Sequence, residues 1–256
     1  MTDGSLLRFE EVTLRFFGLT ALREVSFEVQ LGELIAVIGP NGAGKTTIFN
    51  CINGVYRPQE GRIELRGRQL RGGPVEIARQ GVARTFQNLG LFSNLSVLDN
   101  LMLGRHLRMR TGFMTGALWL GRARREEAEH RGRVEEVVEL LELEQFRHRP
   151  VAILPYGIKK RVELGRALAM EPELLLLDEP VAGMSLEEAQ DMARYLLEVR
   201  RRLGTTMILV EHDMAFVMDL ADRVLVLDFG EVIAEGDPES VQRDERVIEA
   251  YLGSAA

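Results

Sequence analysis

The chain has 256 residues, 46% apolar and 28% charged, a globular balance that excludes a mostly disordered polypeptide. Its formal net charge of −7 disfavours a general nucleic-acid binder, which needs surplus Lys and Arg to displace counterions, so no nucleic-acid partner is expected. The lone Cys51 excludes an intrachain disulfide and a Cys-rich zinc site.

No run approaches the ~18 apolar residues of a membrane span. The first twenty residues carry Asp3, Arg8, Glu10, Glu11 and Arg15 in place of an apolar leader centre, so neither a span nor a signal peptide is expected. Phe9, Val12 and Leu14, then Val25, Phe27 and Val29, alternate with polar neighbours and predict two half-buried antiparallel strands. Residues 33–38 (ELIAVI) predict a short buried strand that runs into GPNGAGKTT and a helix. Residues 63–65 predict an edge strand, with Gly61 and Gly67 as turns.

A helical texture occupies about 94–165, with a helix over 123–146 marked by Val134, Val137, Val138 and Leu141, and a second from about 158 to 170. Within it, residues 111–121 (TGFMTGALWLG) form an apolar stretch flanked by arginines, too short to cross a bilayer and read as a surface segment packed on a helix, with membrane-surface contact as the alternative. Strand texture returns at 174–177, 207–210 and 224–227. Ser185-Leu-Glu-Glu188 reads as a capping box opening a helix between the first two. Continuously apolar strands alternating with helices describe a parallel sheet covered on both faces.

Gly39-Pro40-Asn41-Gly42-Ala43-Gly44-Lys45-Thr46 matches G-x-x-x-x-G-K-[ST] between a strand and a helix, the context that motif requires. Glycines let backbone N–H groups turn onto phosphates, and the helix N-terminus adds positive potential. Lys45 then reaches the β and γ oxygens, and the Thr46 hydroxyl ligates Mg²⁺. Asp178 and Glu179 end a buried strand, where one carboxylate can hold Mg²⁺ through water and the other can deprotonate attacking water. His212 follows the next strand and falls on the same rim. By itself a strand-end Asp-Glu or His is also compatible with a purely structural role.

These residues, in this order, resemble the ATP-binding subunit of an ABC transporter over nearly the whole chain. The resemblance implies a P-loop NTPase core with a mostly parallel sheet, an N-terminal antiparallel β part and an inserted helical part. In one ABC ATPase domain over 1–256, residues 1–93 and 166–256 form the core, and 94–165 form the helical part carrying the signature loop. It implies Phe16 as the adenine-stacking aromatic, and residues 39–47, through Thr47, as the phosphate loop. Gln87 becomes a sensor of Mg²⁺, the γ-phosphate and the membrane partner. Glu179 becomes the catalytic base and His212 the switch histidine, with Thr46, Gln87 and Asp178 around the metal. Leu154, Pro155, Tyr156 and Gly157 take the place of the signature loop, which serves the opposite chain's ATP, and residues 181–185 that of the D-loop.

ARTFQNLGLF, the Arg-rich 105–125 segment, LPYGIKKRVELGRALA, EPVAGM, VEHDM and AYLG resemble one branch, the cassettes of branched-chain (hydrophobic) amino-acid importers. That resemblance implies ATP and Mg²⁺ as cofactors. The partners it implies are a second cassette, the same or different, transmembrane permease subunits and, indirectly, an extracytoplasmic solute-binding protein. It places the chain in the cytoplasm, held to the inner membrane face by the permease, with Leu89, Leu91, Phe92 and Leu95 in the docking cleft. The family's usual Leu-Ser-Gly-Gly-Gln is altered here to Leu-Pro-Tyr-Gly-Ile, and the D-loop's usual Asp is Ser185. Pro155 lacks both a hydroxyl and an N–H, so one contact to the opposite phosphate is missing. The alternatives are a lipopolysaccharide-exporter cassette, which resembles this chain without the 111–119 segment, and a DNA-repair P-loop ATPase, which needs a coiled coil or zinc. A small-molecule P-loop kinase is a third, but it needs neither Gln87 nor His212.

Overall fold

The computed structural model describes residues 4–85, 90–108 and 122–253. β1 (Ser5–Phe16) and β2 (Leu19–Gln30) pair antiparallel, as their alternation predicts, and the Phe9 and Phe27 rings stack with centroids 4.5 Å apart. β3 (Leu34–Ile38) leads through the glycine loop into α1 (Lys45–Ile52). β4 (Glu60–Leu65) pairs with β1 on one side and β5 (Arg68–Gln69) on the other. Residues 63–65 are therefore interior to a four-stranded sheet ordered β2-β1-β4-β5, not its edge. The true edge, β5, is two polar residues long and shows no hydrophobic period.

α2 (Pro74–Arg79) and β6 (Val82–Arg84), which carry little periodic signal, precede α3 (Val97–Arg105), α4 (Arg122–Leu140) and α5 (Tyr156–Leu168). The helix expected over 123–146 stops at Leu140. Glu142 takes a left-handed backbone (φ 52°) and the Leu143 N–H closes on the Val138 carbonyl at 2.8 Å, a helix-terminating turn. A short 3₁₀ turn, Glu144–Phe146, follows. α5 begins two residues before the expected 158, because Pro155 (φ −55°) is already set for a helix start. Residues 109–121, including 111–119, lie outside the described residues, as do Gln87 and Leu89.

β7 (Leu174–Asp178), α6 (Leu186–Leu203), β8 (Thr206–Val210), α7 (Met214–Leu220), β9 (Arg223–Asp228), β10 (Glu231–Gly236), α8 (Pro238–Gln242) and α9 (Glu245–Gly253) complete the order. The second sheet reads β10-β9-β3-β8-β7-β6, parallel throughout except where β10 turns back on β9. The capping box forms as expected: the Glu188 N–H donates to Ser185 Oγ, and the Ser185 N–H to Glu188 Oε2 at 2.9 Å.

The central strands feed two different cores. Leu34, Ala36 and Ile38 of β3, with Leu175, Leu177, Met207 and Leu209, face α3–α6. Ile35 and Val37, with Leu174, Leu176, Ile208 and Val210, face α1 and the antiparallel sheet. Both sets are fully buried, so side chains alternate between cores although the sequence shows only a continuous apolar run.

α3 and α5 cross closely: a Cβ at Gly104 would stand 2.3 Å from the Arg166 carbonyl oxygen. Gly104→Ala gains up to about 1 kcal/mol of helix propensity but overpacks backbone, at a cost of about 1–3 kcal/mol. Urea denaturation should show a net loss on the order of 1–2 kcal/mol. An equal or more stable variant would contradict the crossing.

Candidate active site

β3, β7 and β8 are parallel neighbours, so their C-terminal ends open on one rim, the edge at which such sheets bind ligands. The loop after β3 turns through Gly39 (φ 147°), where a Cβ would lie 2.1 Å from the Leu227 carbonyl oxygen, and Gly44 (φ 108°), the N-cap of α1. Only glycine fits the first position, on space as well as on dihedral. α1 has no side-chain cap, which leaves its first N–H groups for an anion.

A cleft of about 680 Å³ opens here, and its lining includes Phe16, residues 41–47, Glu179, His212 and Phe229. Phe16 is half-buried and edge-on to Tyr56, centroids 4.9 Å apart. The Lys45 ammonium is folded back onto its own loop, donating to the Gly39 carbonyl at 2.6 Å and the Pro40 carbonyl at 2.9 Å. Burial lowers its pKa from the ordinary lysine value, and the Glu179 charge opposes that shift.

Glu179 follows β7 with a left-handed backbone (φ 46°), an uncommon state for a non-glycine residue. Its N–H donates to the Val210 carbonyl at 2.9 Å. Its Oε1 lies 2.7 Å from His212 Nε2, so the two strand ends present a carboxylate and an imidazole as a pair. Asp178, the last residue of β7, is buried, and its Oδ2 accepts from Arg84 Nη2 at 2.6 Å. Arg84 in turn donates to Asn50 Oδ1 at 2.7 Å.

The described residues hold no cluster of three or more His, Cys, Asp or Glu side chains. Mg²⁺ needs none: it takes one or two protein oxygens, keeps waters and uses substrate phosphates. The Thr46 hydroxyl on the cleft wall and Asp178 at the strand end fit that donor set.

Leu154, Pro155, Tyr156 and Gly157 are not among the walls of this cleft. They form the start of α5, packed against the loop after Glu179. The Tyr156 hydroxyl donates to the Ala182 carbonyl at 3.1 Å, and Lys160 Nζ donates to the Glu179 carbonyl at 3.3 Å. Of the expected docking cluster, Leu91 packs on the core, whereas Phe92 and Leu95 are exposed. Arg84, Lys160 and Tyr251 lie within ARTFQNLGLF, LPYGIKKRVELGRALA and AYLG, but their roles escape sequence reasoning because their partners, Asp178, the Glu179 carbonyl and Gly39, are distant along the chain.

A family model described as ABC transporter matches residues 22–182. The chain belongs to the ABC transporter family. As an ATP-binding cassette it is an ATPase whose hydrolysis powers transport. A second model, described as branched-chain amino acid ATP-binding cassette transporter, matches residues 231–256. The chain is 41% identical over 251 residues, 98% of each protein, to the high-affinity branched-chain amino acid transport ATP-binding protein LivG of Salmonella typhimurium. It is similar to a solved ABC-transporter cassette in its ADP conformation, with 30% identity, a TM-score of 0.85 and coverage of 97% and 99%. It is similar also to a dimeric cassette bound to ADP and phosphate, with 25% identity, a TM-score of 0.75 and coverage of 91% and 98%.

The Lys45 environment sets a pH dependence. A triphosphate seated against Lys45 would raise its lowered pKa again, so proton uptake on binding is expected at alkaline pH. ATP affinity is full below the lowered pKa and falls as pH rises through it. Titration calorimetry in two buffers of different ionisation enthalpy reads the uptake. Lys45→Met should abolish it, and identical uptake in that variant would overturn the assignment to Lys45.

Proposed function

We propose that this cassette powers an importer of branched-chain or other hydrophobic amino acids, with Glu179 as the general base. The observation that carries the hydrolytic reading is the 2.7 Å pair between His212 Nε2 and Glu179 Oε1, in the cleft that Lys45 and Thr46 also line. A water between that carboxylate and a γ-phosphate on the α1 N-terminus would lose its proton to Glu179, and the imidazole orients the carboxylate. Phe16 stacks the adenine. The backbone of residues 39–47 cradles the phosphates, and Lys45 exchanges two carbonyl oxygens for phosphate oxygens. Thr46, Asp178 and Gln87 would hold Mg²⁺, which would neutralise phosphate charge. The solute class rests on the similarity to LivG and on the branched-chain match over 231–256.

No helix among the described residues is long and apolar enough to cross a membrane. The cassette docks on the cytoplasmic side of membrane-spanning permease subunits, through exposed Phe92 and Leu95. A solute-binding protein delivers the amino acid from outside. Residues 154–157 do not line the chain's own cleft, which fits their serving ATP on a second cassette.

Glu179→Gln should retain ATP binding and lose turnover by about 10²–10⁴-fold, the usual scale for a general base. Leucine uptake by vesicles carrying the chain with its permease should be lost in parallel. Turnover within about threefold of wild type on that scale would remove Glu179 from the role, and vesicles that hydrolyse ATP but take up no hydrophobic amino acid would remove the solute class.

Pro155 occupies the N-cap of α5 without a side-chain cap. Pro155→Ser supplies a capping oxygen worth about 0.5–2 kcal/mol to the helix. It also supplies a hydroxyl for the opposite γ-phosphate, worth about 1.5–3 kcal/mol, or roughly 10- to 150-fold. The variant should therefore melt higher and hydrolyse ATP faster than the wild-type chain. A higher melting temperature with unchanged turnover would leave Pro155 a helix-start residue only.

A further inference from the structure

We infer that Glu211 is a positioning residue that locks His212 to the loop after Glu179, so that the base and its orienting imidazole move as one unit. Glu211 follows β8 and is buried, with 3% of its surface exposed. Its two carboxylate oxygens have different tasks. Oε1 accepts the Val181 N–H at 3.0 Å, and Oε2 accepts the His212 N–H at 2.9 Å. One side chain at the end of β8 thus holds the backbone on both sides of the Glu179–His212 pair. A second tie runs in parallel, from the Glu179 N–H to the Val210 carbonyl at 2.9 Å.

The same loop is held from its other side by the start of α5, through Tyr156 to the Ala182 carbonyl and Lys160 to the Glu179 carbonyl. Residues 179–182 are therefore clamped between α5 and Glu211. A displacement of that loop is carried through Glu211 to the backbone of His212, without passing through the reacting side chains.

A carboxylate is required for this. It is the one ordinary side chain of this length with two acceptor oxygens and no donor. A glutamine has the same shape, but it turns one oxygen into an NH₂ that faces a backbone N–H. One of the two ties must then break while packing is kept.

The inference rests on Glu179 and His212 acting in hydrolysis, so the experiment separates the two ideas. The full chain is compared as wild type, Glu211→Gln, His212→Ala and the double variant. Glu211→Gln should lower kcat by about 10- to 100-fold, the scale of a displaced catalytic group, with the KM for ATP within about twofold, since the lost contact is absent from ground-state binding. In the His212→Ala background the same substitution should cost little more, because it acts through His212. As a readout independent of turnover, the His212 ring Cε1–H resonance, assigned by its loss in His212→Ala, should shift in Glu211→Gln. Slow His212→Ala beside normal Glu211→Gln overturns the positioning role alone. Equal losses in both backgrounds, or an unmoved His212 resonance with only a lower melting temperature, also overturn it. Wild-type turnover in His212→Ala overturns the orienting role of His212 together with it, while Glu179 as base is judged by Glu179→Gln.

Discussion

The hydrogen bond from the Glu179 N–H to the Val210 carbonyl extends the β7–β8 ladder one step past the register pair Asp178 and Val210. That extension holds Glu179 against the end of β8 while its backbone turns left-handed. Such a backbone costs of order 1–3 kcal/mol and persists only where its surroundings over-determine it. Here they do: the ladder holds its N–H, Lys160 on α5 holds its carbonyl, and His212 holds its carboxylate. The cleft follows from the same parallel pairing, because β3 lies on the other side of β8 and delivers the glycine loop to the same rim.

Charge at the rim is partnered within the chain. Lys45 rests on two loop carbonyls, Asp178 on Arg84, and Glu179 on His212. Lys45 and Asp178 are buried, and burying such groups without partners costs several kcal/mol each. On the proposed reading, nucleotide binding is an exchange of partners, in which phosphate oxygens take the place of carbonyl oxygens on Lys45. The start of α5 is tied to the loop after Glu179. Tyr156 stands where the family usually has glycine, and its hydroxyl reaches the Ala182 carbonyl. Gly157, retained, sits so close to Glu188 that a Cβ would stand 2.4 Å from its carboxylate oxygen.

Much of the site is legible in the sequence because its signals are local. The G-x-x-x-x-G-K-T spacing, the apolar run ending in Asp178-Glu179 and the capping box at Ser185 each depend on residues a few positions apart, and all three hold in the structure. The strand at 63–65 reads as an edge because its true neighbour, β5, has two polar residues and no pattern of its own. The helix over 123–146 reads too long because Leu141 and Leu143 keep the apolar content going after the backbone has turned at Glu142. Both are cases in which burial and backbone direction part company.

By itself, then, the sequence determined the phosphate loop, the acidic strand end, the histidine one strand over and the family to which they belong, since each is written in short spacings. Only the tertiary structure decided which partner each charged group takes. Arg84 and Asp178 are 94 residues apart in sequence, Val181 and Glu211 are 30 apart, and Tyr251 and Gly39 come from opposite ends of the chain. It also decided how β3, β7 and β8 divide their apolar residues between two cores. Those outcomes depend on strand order, and strand order is set by pairing energies among segments that are distant along the chain and alike in composition.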